Sequence, residues 1–102
     1  MRRVRFSKTY GNEFEALLSQ GLRHFSVKIV QSKRQLVRAT IHQFLVRHPA
    51  RPVDPVLGIC AYEVSNTPFV LLYDYDDAEL RVHFVIHKSA DRTKIDLSKI
   101  DW

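Results

Sequence analysis

The chain has 102 residues, a formal net charge of +5 and 45% hydrophobic residues. This length supports one hydrophobic core, so we expect a single domain over residues 1–102. No apolar run approaches the roughly 18 residues that a membrane-spanning helix needs. The basic start is not followed by the apolar core of a signal peptide. These features predict a cytoplasmic protein and disfavour a secreted or membrane protein.

The charge is divided unevenly between the two halves of the chain. Residues 1–51 hold 11 Lys and Arg against 2 Asp and Glu, a net of +9. Residues 52–102 hold 5 against 9, a net of −4. A basic half this pronounced indicates an anionic partner, either nucleic acid or an acidic protein segment. The lone Cys60 excludes an internal disulfide, which fits a reducing compartment.

The first half of the sequence predicts a strand followed by two helices. Residues 3–7 alternate in period two and predict a short strand. Apolar residues at helical spacing then predict a helix that Ser7 or Thr9 caps and that Gly21 ends. A second, longer helix is predicted from about Leu22 to Arg47, where a proline-rich segment follows.

The second half changes to a period of two and predicts three strands. They cover Leu57–Val64, the apolar run Phe69–Tyr75, and Leu80–His87, followed by the tail Asp91–Trp102. The expected order is β-α-α-β-β-β plus a tail. This order predicts an α+β domain in which two helices pack on one face of a mostly antiparallel sheet. The other face of such a sheet is available for function.

The strand over residues 80–87 offers the first candidate site. Strict alternation would place Arg81, His83 and His87 on the face away from the helices. The residues expected under the helices are Leu80, Val82, Phe84 and Ile86. Two imidazoles and a guanidinium on one open face suit phosphate binding and proton transfer, although a merely polar strand face has the same pattern. His83 and His87 would stand roughly 13 Å apart along the strand, too far to share a metal ion.

The second helix offers another candidate surface. Arg34, Arg38 and His42 follow each other at intervals of four and therefore share one helix face. This face is either a solvated surface or a partner-binding one. The sequence contains no phosphate-binding glycine loop, no paired-cysteine motif and no metalloprotease motif, so we expect no cofactor and no metal.

Three segments carry a family resemblance. They are the opening Val4–Ser7, the strand Phe69–Tyr75, and the strand Leu80–His87 with Lys88–Asp91 after it. In these segments, and in its order of elements, the chain resembles toxins of the RelE/ParE superfamily. The resemblance covers nearly the whole length, and its specificity lies in the combination of the three segments.

The resemblance implies the toxin half of a type II toxin–antitoxin pair. An extended, acidic antitoxin would fold onto the toxin and form a hetero-oligomer with it. Members similar to RelE cut mRNA in the ribosomal A site without a metal, by positioning and acid–base help. Members similar to ParE inhibit DNA gyrase and are not nucleases.

The facing directions of side chains on the predicted strands, rather than a motif match, suggest roles for individual residues. In a nuclease, Arg81 would bind phosphate, His83 and His87 would act as acid and base, and Glu63 would be a second base. Target contacts would come from Lys88, Arg92, Lys94, Arg34 and Arg38. RelE-like nucleases usually carry an Arg at the start of the central strand, whereas this chain has Thr67–Val70 there, without Arg. The enzymatic status therefore stays open at this point.

A second hypothesis keeps the fold and drops the toxicity. A basic module that binds nucleic acid or protein would show the same charge division and the same elements. The absence of a growth defect would distinguish it from a toxin.

Overall fold

Four strands form one mixed sheet in the computed structural model, which describes residues 1–102. The strands are β1 Arg3–Phe6, β2 Cys60–Glu63, β3 Phe69–Tyr75 and β4 Glu79–His87. Their spatial order is β1-β4-β3-β2, with β1 parallel to β4 and the other two pairs antiparallel. The α+β class predicted from the sequence is confirmed. β2 is shorter than the predicted Leu57–Val64.

Two helices lie between β1 and β2 along the chain. α1 spans Lys8–Gly21 and α2 spans Val27–Ala39, which continues as a π-helical segment, Thr40–Leu45. The predicted helix start at Leu22 is wrong, because the Ser26 hydroxyl caps α2 by accepting a hydrogen bond from the Ile29 N–H. No helix of the chain has the length and apolar character needed to cross a membrane.

The main hydrophobic core lies between the helices and the sheet. The helices contribute buried residues at positions that repeat every three or four residues, as an amphipathic face requires. These are Tyr10, Phe14, Leu18, Val30, Val37, Ile41 and Leu45. The sheet contributes Leu71, Tyr73, Leu80, Val82 and Val85, all fully buried. The Tyr73 hydroxyl donates a 2.7 Å hydrogen bond to the Pro49 carbonyl and so ties β3 to the chain that follows the helices.

The sequence predicted that the opposite sheet face would be open, but this face is partly covered. A second cluster of buried residues, Val70, Leu72 and Ile86, lies there. Leu57 and Ile59 from the loop before β2 pack on it, as does Ile95 from the C-terminal tail. Residues 91–102, which include two 3₁₀ turns at Arg92–Lys94 and Leu97–Lys99, therefore cover part of the face predicted to be free.

A β-bulge in β4 changes which of its side chains face the helices. Tyr73 of β3 pairs with Val82, whereas the preceding Leu72 pairs with Phe84, so His83 is one extra residue in β4. Such an insertion reverses the alternation beyond it. Val85 consequently lies in the helix-side core, while Phe84 packs on the opposite face. The prediction that Phe84 and Ile86 lie under the helices is wrong for this reason.

Ser7 holds the bulge, β1 and α1 together. Its backbone N–H donates to the Val82 carbonyl at 3.1 Å. Its hydroxyl accepts from the Tyr10 N–H at 2.8 Å and donates to the carbonyl of His83 at 2.6 Å. Only 2% of Ser7 is exposed, so water cannot replace these bonds.

The two capping serines provide a matched test of this role. We expect Ser7→Ala to lower the free energy of unfolding by about 2–3 kcal/mol, because the variant loses both the cap of α1 and the hydrogen-bond donor to the His83 carbonyl. Ser26→Ala removes only an exposed cap and should cost about 1 kcal/mol. Urea denaturation of both variants measures the difference. Equal losses would show that the hydrogen bond to His83 contributes nothing.

Candidate functional site

Arg81 is enclosed by carboxylates on the sheet face away from the helices. Its Nε donates to Asp74 Oδ1 at 2.6 Å, and its Nη1 donates to Asp76 Oδ2 and Glu79 Oε1, both at 2.9 Å. The hydrogen bonds that it donates to Asp76, Glu79 and Asp74, in that order of effect, raise the pKa of the guanidinium. Three negative groups surround one positive group, so this part of the face carries no free positive charge for a phosphate.

The carboxyl of Asp76 shows the same pairing from the other side. The hydrogen bond from Arg81 contributes most to lowering the pKa of this carboxyl, and hydrogen bonds from the backbone N–H groups of Glu79 and Ala78 lower it further. Together they lower the pKa of Asp76 from 3.8 to about 2. A carboxylate held ionised in this way anchors the β3–β4 turn.

His83 lies beside this cluster on the same face. Its Nε2 is 3.3 Å from Asp74 Oδ2, a distance that allows an ion pair when the ring is protonated, but the alignment does not make a hydrogen bond. The ring packs edge-on against Trp102 at 4.8 Å between centroids, and the Arg5 guanidinium lies 5.0 Å from the same indole. The C-terminal tail thus covers His83, and the imidazole is not presented to a ligand.

His87 lies on the other side of the sheet from Arg81 and His83. It pairs with Phe69, whose ring belongs to the helix-side core, and cross-strand partners share a face. His87 also lines an apolar cavity of about 400 Å³ together with residues of both helices. The sequence placed His87 beside His83. This placement is wrong, because the bulge reverses the alternation between them.

Glu63 shares the sheet face of His83 but is distant from it. It pairs with Val70 in β3, four residues before Asp74, which corresponds to roughly 13 Å along the strand. Glu63 is exposed and lines a shallow pocket of about 270 Å³ with Asp54 and Arg92. The four residues predicted as a catalytic set, Arg81, His83, His87 and Glu63, do not converge on one cleft.

The predicted target-binding residues fall into two separate regions. Lys88, Arg92 and Lys94 belong to the segment after β4, where Arg92 is bound to the buried Asp54 at 3.0 Å. Arg34 and Arg38 lie on α2 and line a groove between the helices and β1. Arg92 therefore has a structural role, whereas Lys88, Lys94 and Arg38 are exposed and take part in no ion pair.

Sequence reasoning missed two residues that decide the character of this face. Asp74 follows the apolar run of β3, and its outward direction could have been obtained from the alternation of that strand. Trp102 could not have been placed, because the tail has no period that predicts its path across the sheet.

The pairing of Arg81 predicts a specific pH dependence of stability. A carboxyl whose pKa is lowered in the folded state stabilises the fold above its unfolded pKa, here 3.8, and this contribution is lost as the pH falls towards about 2. Asp76→Asn removes it at every pH. We therefore expect the difference between the urea midpoints of the wild type and Asp76→Asn to be largest above about pH 5 and to shrink towards about pH 2.

Asp77 is the matched control, because it accepts no hydrogen bond from Arg81. Asp77→Asn should change the urea midpoint little across the same range. A pH-independent difference for Asp76→Asn would contradict the role given to the Arg81 cluster.

Two comparisons of the chain with known proteins gave no match. A scan of the chain against protein-family models gave no match, and a search of curated proteins gave no similar sequence.

Proposed function

We propose that this chain is a growth-inhibiting toxin of the RelE/ParE kind, neutralised by an acidic antitoxin, and that it acts by binding its target rather than by cutting RNA. The class is supported by the observed order of elements, β-α-α-β-β-β, together with the sequence segments that resemble the superfamily. The basic first half supports an acidic partner. Because the members similar to ParE inhibit DNA gyrase and are not nucleases, DNA gyrase is the target that the resemblance implies for a toxin that does not cut RNA.

The end of the helical hairpin supports a protein partner. Four apolar side chains there are about half exposed or more: Leu22 48%, Phe25 58%, Val27 63% and Ile29 44%. Two of them, Phe25 and Ile29, line the apolar cavity of about 400 Å³ that includes Phe69 and His87. Apolar patches flanked by charges, here Arg23 and Lys28, are typical of protein–protein interaction sites. An antitoxin segment that covers this patch would bury it and meet the basic helices.

The state of Arg81 is the single observation that carries the choice of binding over cleavage. RNA cleavage of the RelE kind needs a cation free to neutralise the phosphate and an acid and a base near it. Arg81 is already bound to three carboxylates. His83 is covered by Trp102, and His87 lies on the other face of the sheet. A toxin that acts through contacts alone requires none of these groups to be free.

Two assays on the same preparation test the proposal. Induction of the chain in a bacterium should arrest growth, and purified protein should inhibit supercoiling by DNA gyrase. Primer extension on translated messages should show no codon-phased cuts. Codon-phased cuts with normal supercoiling would overturn the binding mechanism. Soluble, folded protein that leaves growth unaffected would overturn the toxin assignment and favour a non-toxic binding module.

Variants of the predicted catalytic set separate the two mechanisms further. We expect His87→Gln and Glu63→Gln to arrest growth as well as the wild type does, because these side chains lie apart from each other and from His83. A nuclease that uses them as acid and base would lose about 10²-fold or more in activity in each variant. Growth curves at matched expression levels give the readout.

A further inference from the structure

A groove of about 490 Å³ lies between α1, α2 and β1, on the helical side of the molecule. Its volume is within the range typical of small-ligand sites. Its lining includes a row of aromatic rings and a set of side-chain nitrogen donors, together with the carboxylate of Glu15. It shares no residue with the Arg81 cluster or with the apolar cavity near His87.

The aromatic row runs along the floor of the groove. The rings of Phe6 and Tyr10 stack at 5.2 Å between centroids, and those of Tyr10 and Phe14 at 5.7 Å. Tyr10 and Phe14 are buried, but Phe6, at the end of the row, is 40% exposed. The ring of Phe6 therefore has free surface on which a planar group could continue the stack.

The side-chain nitrogen donors of the groove lie along α2 and the π-helical segment. Arg34 is neutralised by a bidentate pair with Glu15, at 2.5 and 3.0 Å. Arg38 and His42 are exposed and take part in none of the ion pairs of the chain. The His42 ring lies 5.9 Å from the Phe6 ring and is tilted by 62° to it. Free donors for an anion thus stand next to the exposed aromatic surface.

The local backbone is also unusual at this point. His42 lies within the π-helical segment Thr40–Leu45. Such segments are rare, and they occur frequently at functional sites.

We propose that this groove binds a nucleotide unit of single-stranded nucleic acid, with the base stacked on Phe6 and the phosphate held by Arg38 and His42. Any base can stack on an aromatic face, and arginine and histidine N–H groups donate hydrogen bonds to phosphate oxygens, which is the usual combination in single-strand binding. An acidic peptide would satisfy the cations but would leave the exposed Phe6 ring without a planar partner. This inference does not rest on the growth-arrest proposal, since purified protein alone is needed to test it.

Fluorescence anisotropy with a labelled single-stranded RNA of about ten nucleotides, within the usual site size, provides the measurement. We expect Phe6→Leu, which keeps an apolar contact with Tyr10, to weaken binding about tenfold. Arg38→Gln should weaken binding about fivefold more than Arg23→Gln. The latter removes the same charge from the hairpin turn, outside the groove.

A third variant tests the groove without deleting any of its side chains. A Cβ at Gly11 would meet no atom within 4 Å, so a longer side chain fits at this lining position. Gly11→Glu should reduce binding strongly by repelling the phosphate, whereas its isosteric control Gly11→Gln should reduce it less. Circular dichroism confirms that each variant is folded.

Competition experiments identify the source of the ligand. Displacement of the labelled RNA by adenosine monophosphate, but not by adenosine, would support the site and show that a free nucleotide also enters it. Displacement only by unlabelled oligonucleotide would support the site and show that it binds a nucleotide only as part of a strand. Equal losses for Arg38→Gln and Arg23→Gln with no effect of Phe6→Leu would overturn it. Equally effective competition by polyglutamate, unaffected by Phe6→Leu, would also overturn the proposal in favour of an acidic protein.

Discussion

The hydroxyl of Ser7 connects three parts of the molecule that are far apart in sequence. Ser7 follows directly on β1, and its hydroxyl both caps α1 and donates a hydrogen bond to the carbonyl of His83, the extra residue in β4. A bulged residue leaves backbone groups without a partner in the strand ladder, and a buried carbonyl without a partner is costly. Ser7 supplies that partner. This contact therefore stabilises the bulge that reverses the alternation in β4 and places His83 and His87 on different faces.

This reversal moves the candidate function from the sheet to the helices. The sheet face opposite the helices holds an arginine paired with three carboxylates, an apolar cluster on which Ile95 of the tail packs, and His83, which Trp102 covers. The helices, by contrast, present unpaired cations next to an exposed aromatic ring and, at the hairpin end, a group of exposed apolar side chains. The ion pairs follow the division of charge along the sequence. Four acidic residues of the second half, Asp54, Asp74, Asp76 and Glu79, pair with Arg81 or Arg92 of the same half. Among the Lys and Arg residues of the first half, only Arg34 takes part in an ion pair.

The elements could be predicted from the sequence largely because their patterns are local. The limits of β3 follow from its apolar run, and the end of α1 follows from Gly21. The prediction failed where a single residue interrupts a period: one inserted residue in β4 cannot be recognised from alternation, because Val82, Phe84, Val85 and Ile86 fit either face. The partners of Arg81 were likewise out of reach, since they depend on the pairing of β3 with β4. Arg34 and Arg38 were correctly grouped on one helix face, but Phe6, which completes the groove, comes from a different element.

The parallel pairing of β1 with β4 has a consequence for biosynthesis. β1 leaves the ribosome before its register partners, Glu79–Val82, which follow more than 70 residues later. At ordinary elongation rates this interval is about 4–15 seconds. Throughout it the nascent chain carries an unpaired strand and two amphipathic helices whose apolar faces have no sheet to cover them. Contacts of such long sequence separation are slow to form. Until β4 has emerged, the apolar faces of the two helices are therefore open to chaperones that shield apolar segments.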